Sequence, residues 1–182
     1  MSRVAIVLLL LTACSTSKPP AGNAAPWNAN PPATAPQVIL DEWAKAENRA
    51  TCAPLTLAGV RQDATPRRAN FSGGWGIAWD VPGLPGREPS GHSCDTCGRG
   101  VFGIAGAGVT VGEDVPGFPH FKDYDGENWA GWHLEGHTGP NWLAQVRVDD
   151  QQCLYYVWSF LGREHIEELI GNVRRVRATS GG

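Results

Sequence analysis

Methionine is all but missing: the initiator Met1 is the only one, while the chain has eight tryptophans. Such a composition excludes a core filled by flexible thioethers and implies one packed with rigid rings and small residues, with 23 glycines to accommodate them. Charge of one sign is also lacking. The net charge is -3 and no stripe of lysine or arginine gathers, so the electrostatic footprint of a nucleic-acid binder is absent. Long apolar runs are missing too. The longest, Val4-Ala5-Ile6-Val7-Leu8-Leu9-Leu10-Leu11, falls well short of the roughly 20 residues that cross a hydrocarbon core. No Gly-x-Ser-x-Gly elbow occurs, and no His-Glu-x-x-His zinc motif.

That short run makes sense as the h-region of a cleaved signal. Arg3 supplies the positive n-region, and Thr12-Ala13 are the small residues a signal peptidase requires. A cysteine follows immediately. Leu11-Thr12-Ala13-Cys14 resembles the lipobox of bacterial lipoproteins. The resemblance implies a diacylglyceryl group on the Cys14 sulfur, cleavage just before it, and acylation of the new amino group. Two or more chains anchor stably where one does not, so Cys14 is expected to hold the protein on a membrane. Ser15, rather than an aspartate, favours the outer membrane with the domain facing the periplasm. The resemblance is confined to the signal.

Four further cysteines remain: Cys52, Cys94, Cys97 and Cys153. An even number in an exported chain suggests disulfides. Tetrathiolate zinc is the rival, but only Cys94-x-x-Cys97 has a suitable local spacing. Cys94 and Cys97 are so near in sequence that closing their loop costs little entropy. The expected pairs are therefore Cys94–Cys97 and Cys52–Cys153. The alternatives are the two connectivities that join Cys94 and Cys97 to Cys52 and Cys153 and so staple the Gly/Pro-rich loop to both ends of the domain. No helical pattern follows Cys97, so the thioredoxin device of a thiol at a helix N-terminus is not in place.

The chain divides into a signal over residues 1–13, a lipidated flexible tether over 14–36, and one domain over 37–182. Residues 15–36 are rich in Pro, Ala and Asn and lack apolar periodicity, Trp27 alone offering something to dock. Helical spacing appears over 38–49, with Ile39, Trp43 and Ala46 on one face and Asp41 placed to pair with Lys45. It appears more clearly over 163–173, where Ile166, Leu169, Ile170 and Val173 oppose Glu164, Glu167 and Glu168. Alternation predicts strands over 71–80, 101–111, 129–137, 141–149 and 153–160, with shorter ones near 55–57 and 173–178. In the first of these, Trp75, Ile77 and Trp79 form one face and small residues the other. The ring face is expected to be core rather than a sugar-stacking row. The resulting fold class is α+β, an antiparallel sheet of five or six strands with an N-terminal and a C-terminal helix packed on it.

Chemistry is thinly marked. On a strand His133, Glu135 and His137 share a face, which makes them the candidate metal ligands. Asp123, Asp125 and Glu127 form an acidic loop that misses the glycine and glutamate positions of a calcium-binding EF-hand. Asp80, Asp123 or Asp125 paired with Glu127 is a formal option for glycoside hydrolysis, which needs two acids flanking one bond. Gly98-Arg99-Gly100-Val101-Phe102-Gly103 copies the dinucleotide fingerprint, yet a cysteine loop precedes it and β-branched residues follow, so the required helix is absent. No cofactor and no catalytic residue are expected. The functional expectation is a non-enzymatic envelope module that binds a protein, peptidoglycan or a small ligand. A metal-dependent or carboxylate hydrolase is the alternative.

Overall fold

The computed structural model describes residues 23–29, 33–70, 73–84, 100–110, 117–135 and 141–176. Among these described residues, two helices, α1 (Gln37–Lys45) and α2 (Arg163–Gly171), accompany nine strands: β1 (Leu55–Leu57), β2 (Thr65–Arg68), β3 (Trp75–Asp80), β4 (Phe102–Thr110), β5 (His120–Asp123), β6 (Trp129–Leu134), β7 (Trp142–Arg147), β8 (Cys153–Ser159) and β9 (Val173–Arg175). Seven of them form one antiparallel sheet in the order β2-β3-β4-β8-β7-β6-β5, and β1 pairs with β9 in a separate ribbon.

The α+β class holds, but the sheet has seven strands rather than five or six. The two strands that periodicity does not reveal are β2 and β5, which are its two edges. An edge strand buries little, so it carries little alternation to detect. β2 contains Pro66, which an edge tolerates because one side of its backbone needs no partner. β5 reads His-Phe-Lys-Asp and is largely exposed.

Cross-strand register sorts the side chains onto two faces. Trp79 lies opposite Phe102, Phe102 opposite Ser159, and Ser159 opposite Trp142. Two residues along each strand, and so on the same face, Ile77, Ile104, Val157 and Ala144 follow in the same way. This face joins the main core, which includes Ile39 of α1 and Ile166, Leu169 and Ile170 of α2. α1 packs on β2 and β3, α2 on β8 and β7. Lys45 pairs with Glu42, and Asp41 instead accepts from Gln37. On the opposite face Ala78, Ala105, Leu143 and Trp158 form a second cluster. There Gly103 is obligatory, because a Cβ on it would overlap the Trp158 indole and the Ile77 carbonyl. Trp75 and Trp79 are both buried, so the ring face of β3 is core.

The Cys52–Cys153 bridge forms, with its Cα atoms 5.3 Å apart, and ties the segment after α1 to the start of β8. Cys94, Cys97 and Cys14 lie outside the described residues.

Packed structure begins ahead of Pro36. Trp27, in a short 3-10 turn at Pro26–Asn28, is fully buried. Its Nε1 donates to Asn128 Oδ1 at 2.8 Å, and its ring meets Tyr124 edge-on at 5.1 Å. Asn128 Oδ1 also accepts from the Asp149 amide, and its Nδ2 donates to the Asp125 carbonyl. One buried amide thus fastens the N-terminal segment to two hairpin turns.

Candidate functional site

Several residues singled out by pattern have partners within the fold. Asp80 forms a bidentate ion pair with Arg67, at 2.5 and 3.2 Å. It closes β3 at the end of the sheet where Ser159 and Trp142 sit, whereas the Asp125 turn is at the other end. Asp80 and Glu127, which belongs to that turn, therefore stand at opposite ends of the sheet and cannot flank one glycosidic bond. Within the acidic loop, the Asp125 amide donates to the Asn23 carbonyl, and Glu127 pairs with Arg147 at 3.3 Å. His133 lies on β6, its ring stacked on Phe118 at 5.8 Å. The Glu135 amide donates to the Asn141 carbonyl, and its carboxylate accepts the Asn141 side-chain amide. His137 lies outside the described residues. Among the described residues no three His, Cys, Asp or Glu side chains gather as a metal site.

What the fold does assemble lies around α2, beside the ends of β4 and β8. A cleft of about 320 Å³ opens between α2 and the segment after β1. Phe102, Leu161, Leu169 and Val60 supply its apolar walls; Arg61, His165, Glu168 and Asn172 supply polar groups. His165, Glu168, Leu169 and Asn172 follow i, i+3, i+4, i+7 spacing and so share one side of the helix. The volume falls at the lower end of the range for small-ligand pockets.

His165 is held on two sides. Its Nδ1 lies 2.7 Å from the Ser159 hydroxyl, which also accepts the Leu161 amide at 3.0 Å. The ring meets Phe102 edge-on at 5.2 Å. Burial lowers its pKa against an upward pull from Glu168, and Arg61 lowers it further. A serine oxygen touching an imidazole has the outline of a nucleophile and its base. Ser159, however, is fully buried, and its oxygen is already held by a backbone amide. The hydroxyl fixes the ring; it is not presented to a substrate. Arg61 is held side-on by Asp63, with contacts of 2.5 and 2.7 Å.

The other side of α2 meets a cluster of rings. His120 stands 5.8 Å from both Trp132 and Trp142, at interplanar angles of 28° and 37°. Trp132 Nε1 donates to Glu167 at 3.1 Å, and Arg163 Nε donates to the same oxygen at 2.7 Å. The Arg163 hydrogen bond is the main reason the Glu167 carboxyl titrates below its ordinary range. All three rings are half-buried.

Sequence reasoning matched no serine to a base, and Ser159–His165 is the pair it missed. Sequence shows a strand reaching Ser159, a glycine at 162 and a histidine in the first turn of the next helix; the φ of 97° at Gly162 that brings serine and histidine together is not written in the spacing. The ring cluster joins three strands and a helix, which spacing does not reveal. No family model, curated protein or solved structure matches the chain.

Proposed function

We propose that the protein is a lipid-anchored module of the bacterial cell envelope, carried on the outer membrane at Cys14 and facing the periplasm. Its task is to bind a protein, peptidoglycan or a small ligand, not to catalyse a reaction. The lipobox-type signal supports the location, and the buried Cys52–Cys153 bridge suits an oxidising compartment.

The observation that carries the binding reading is the state of His165. A fully buried hydroxyl holds the imidazole in the wall of a cleft with mixed apolar and polar lining. This is preorganisation for recognition: the ring is set before a ligand arrives, so less ordering entropy is lost on binding. The hydrolase alternative has less support, because His133 is engaged with Phe118 and Glu135 with Asn141.

Two experiments test the proposal. Cys14→Ser should leave the precursor uncleaved or shift the protein from the detergent phase to the aqueous phase. An unlipidated mature protein starting well beyond Cys14 would overturn the location. For the binding role, a photo-cross-linker at position 161, on the rim of the cleft, should capture a defined partner in intact cells, and His165→Ala should reduce the yield. Equal capture from the exposed position 47 and no effect of His165→Ala would reject the cleft as the binding site.

A further inference from the structure

We infer that the His165 cleft takes the head of an α-amino acid, with the carboxylate toward Arg61 and His165, the ammonium toward Glu168 and an alkyl chain against the apolar wall. This rests on the reading of that cleft as the binding site of the module, and it names the chemistry of the ligand.

The tautomer of His165 comes first. The Ser159 side chain is fully buried, and its oxygen accepts the Leu161 amide at 3.0 Å. The hydroxyl hydrogen needs an acceptor of its own, because a buried donor without a partner is costly. Among the described residues His165 Nδ1, at 2.7 Å, is the group placed to accept it. Were Nδ1 to carry the proton instead, the serine oxygen would receive two donors and its own hydrogen would have no partner. Ser159 therefore donates to Nδ1, and the neutral ring keeps its hydrogen on Nε2. Burial disfavours the imidazolium and holds the ring in that neutral form. Nε2–H has no partner among the described residues, so the wall of the cleft offers one fixed donor.

Two charges of opposite sign line the cleft with this donor. Arg61 spends one edge of its guanidinium on Asp63, through Nε and Nη2, which leaves Nη1 over. Glu168 makes no ion pair among the described residues. Both act on the His165 ring, Glu168 favouring its charged form and Arg61 opposing it, so both stand within electrostatic reach of it. Yet Arg61 pairs with Asp63 and not with Glu168.

This set sorts ligands by charge. A simple anion gains Arg61 but faces Glu168, and a simple cation gains Glu168 but faces Arg61. A neutral ligand leaves both charges to be desolvated without a partner. A ligand that carries a carboxylate and an ammonium side by side satisfies all three groups. The carboxylate accepts from Arg61 Nη1 and His165 Nε2–H, and the ammonium donates to Glu168. The head of an α-amino acid has that form. Phe102 and Leu161 line the same cleft, which suits an alkyl chain on that head, and about 320 Å³ admits a ligand of this size. Such a head occurs on a free amino acid and on the unlinked end of a diamino acid in a cell-wall peptide; the recognition chemistry is shared.

Calorimetric titration of the full lipidated chain in detergent micelles tests this with leucine, N-acetylleucine, which lacks the ammonium, and leucinamide, which lacks the carboxylate. Leucine should bind tighter than either derivative by about fivefold or more. Glu168→Gln should weaken leucine by a similar factor and leave N-acetylleucine unchanged or tighter. Arg61→Gln should weaken leucine likewise and spare leucinamide. Both residues are exposed, so neither substitution opens the core. Leucine no tighter than its derivatives, or derivatives weakened as much as leucine in the variants, would overturn the inference. Retention of the chain on purified peptidoglycan that leucine displaces would assign the head to a cell-wall peptide; leucine binding without retention would assign it to a free amino acid. No leucine binding, with a cross-linker at position 161 still capturing a partner in a His165-dependent way, would reject the amino-acid head and leave the cleft standing. Loss of both would reject the cleft itself.

Discussion

Strands β3 and β6 carry nearly the same pattern and meet different fates. In β3, Trp75 and Trp79 alternate with Gly76 and Ala78, and both indoles are essentially removed from solvent. In β6, Trp132 follows Ala130 on the same side of the sheet and stays half-exposed, with Leu134 beyond it 51% exposed. Each strand has a neighbour on both sides, so pairing is not the difference. Cover is. α1 lies across β2 and β3, whereas α2 sits over β8 and β7, with Glu167 accepting from Trp132 of β6. Alternation fixes which residues share a face; it does not fix what is laid on that face.

The largest expected effect sets these two regions against each other. Trp79→Ala removes a buried ring stacked on Phe102, and truncations of this kind cost about 3–5 kcal/mol. Trp142→Ala removes a half-buried ring and should cost well under half as much, as measured by urea denaturation of the two variants. Equal losses would mean that the ring cluster is as much core as β3 is.

Next comes the bridge that ties the covering layer to the sheet. Cys52–Cys153 closes a loop with a sequence separation of 101. In the chain-entropy model such a link stabilises by about 4–5 kcal/mol, though measured values are often lower. The Cys52→Ala/Cys153→Ala pair should therefore lose several kcal/mol. Hydrogen exchange should show the loss most strongly in the segment after α1 and in the β4–β8 pairing beside it. A uniform loss across β5 and β6 as well would argue that the bridge acts only on the unfolded chain.

A third test uses the two sides of α2. Leu169 points into the main core, and Leu169→Ala should cost about 2–5 kcal/mol. Glu167 holds Trp132 and Arg163 at the surface, and Glu167→Ala should cost less than about 1 kcal/mol, as exposed ion pairs generally do. The second variant should nonetheless shift the tryptophan emission, since it frees Trp132 Nε1. An unchanged spectrum would remove Glu167 from the ring cluster.

What was legible in the sequence follows the same division. The five inner strands show alternation because both of their faces, or one face and a neighbour, are packed. α2 shows it because Ile166, Leu169 and Ile170 enter the core; the helix ends at Gly171, and Val173, read as its last apolar residue, is buried at the start of β9. β2 and β5 are silent because edges bury little, and Trp27 looked like part of a linker because its partners, Tyr124 and Asn128, are about a hundred residues away. The Cys52–Cys153 pairing was legible by elimination. The Ser159–His165 contact was not, because it depends on the turn at Gly162 that brings the first turn of α2 back over the end of β8.

The smallest effect concerns that contact. Burial holds the His165 imidazole below its ordinary range, with Arg61 acting in the same direction and Glu168 against it. An unfolded histidine titrates near pH 6.5. Just below that value the unfolded chain therefore binds a proton that the folded chain refuses, and stability rises with pH. The contribution is complete above about pH 6.5 and is lost as pH falls from there through the lower folded value. Asp150 and Glu167, held low by Arg175 and Arg163, lose their contributions only in the more acidic carboxylate range, so the windows separate. Melting temperatures measured between about pH 7.5 and 5.5 should fall with pH in the wild type and fall less steeply in His165→Asn. Because the ring is only half-buried, the difference in slope will be small. Ser159→Ala should keep the slope while loosening the ring, since burial rather than the hydroxyl is its cause. Parallel slopes in wild type and His165→Asn would show that the imidazole wall of the cleft is solvated, and the preorganised site would lose its basis.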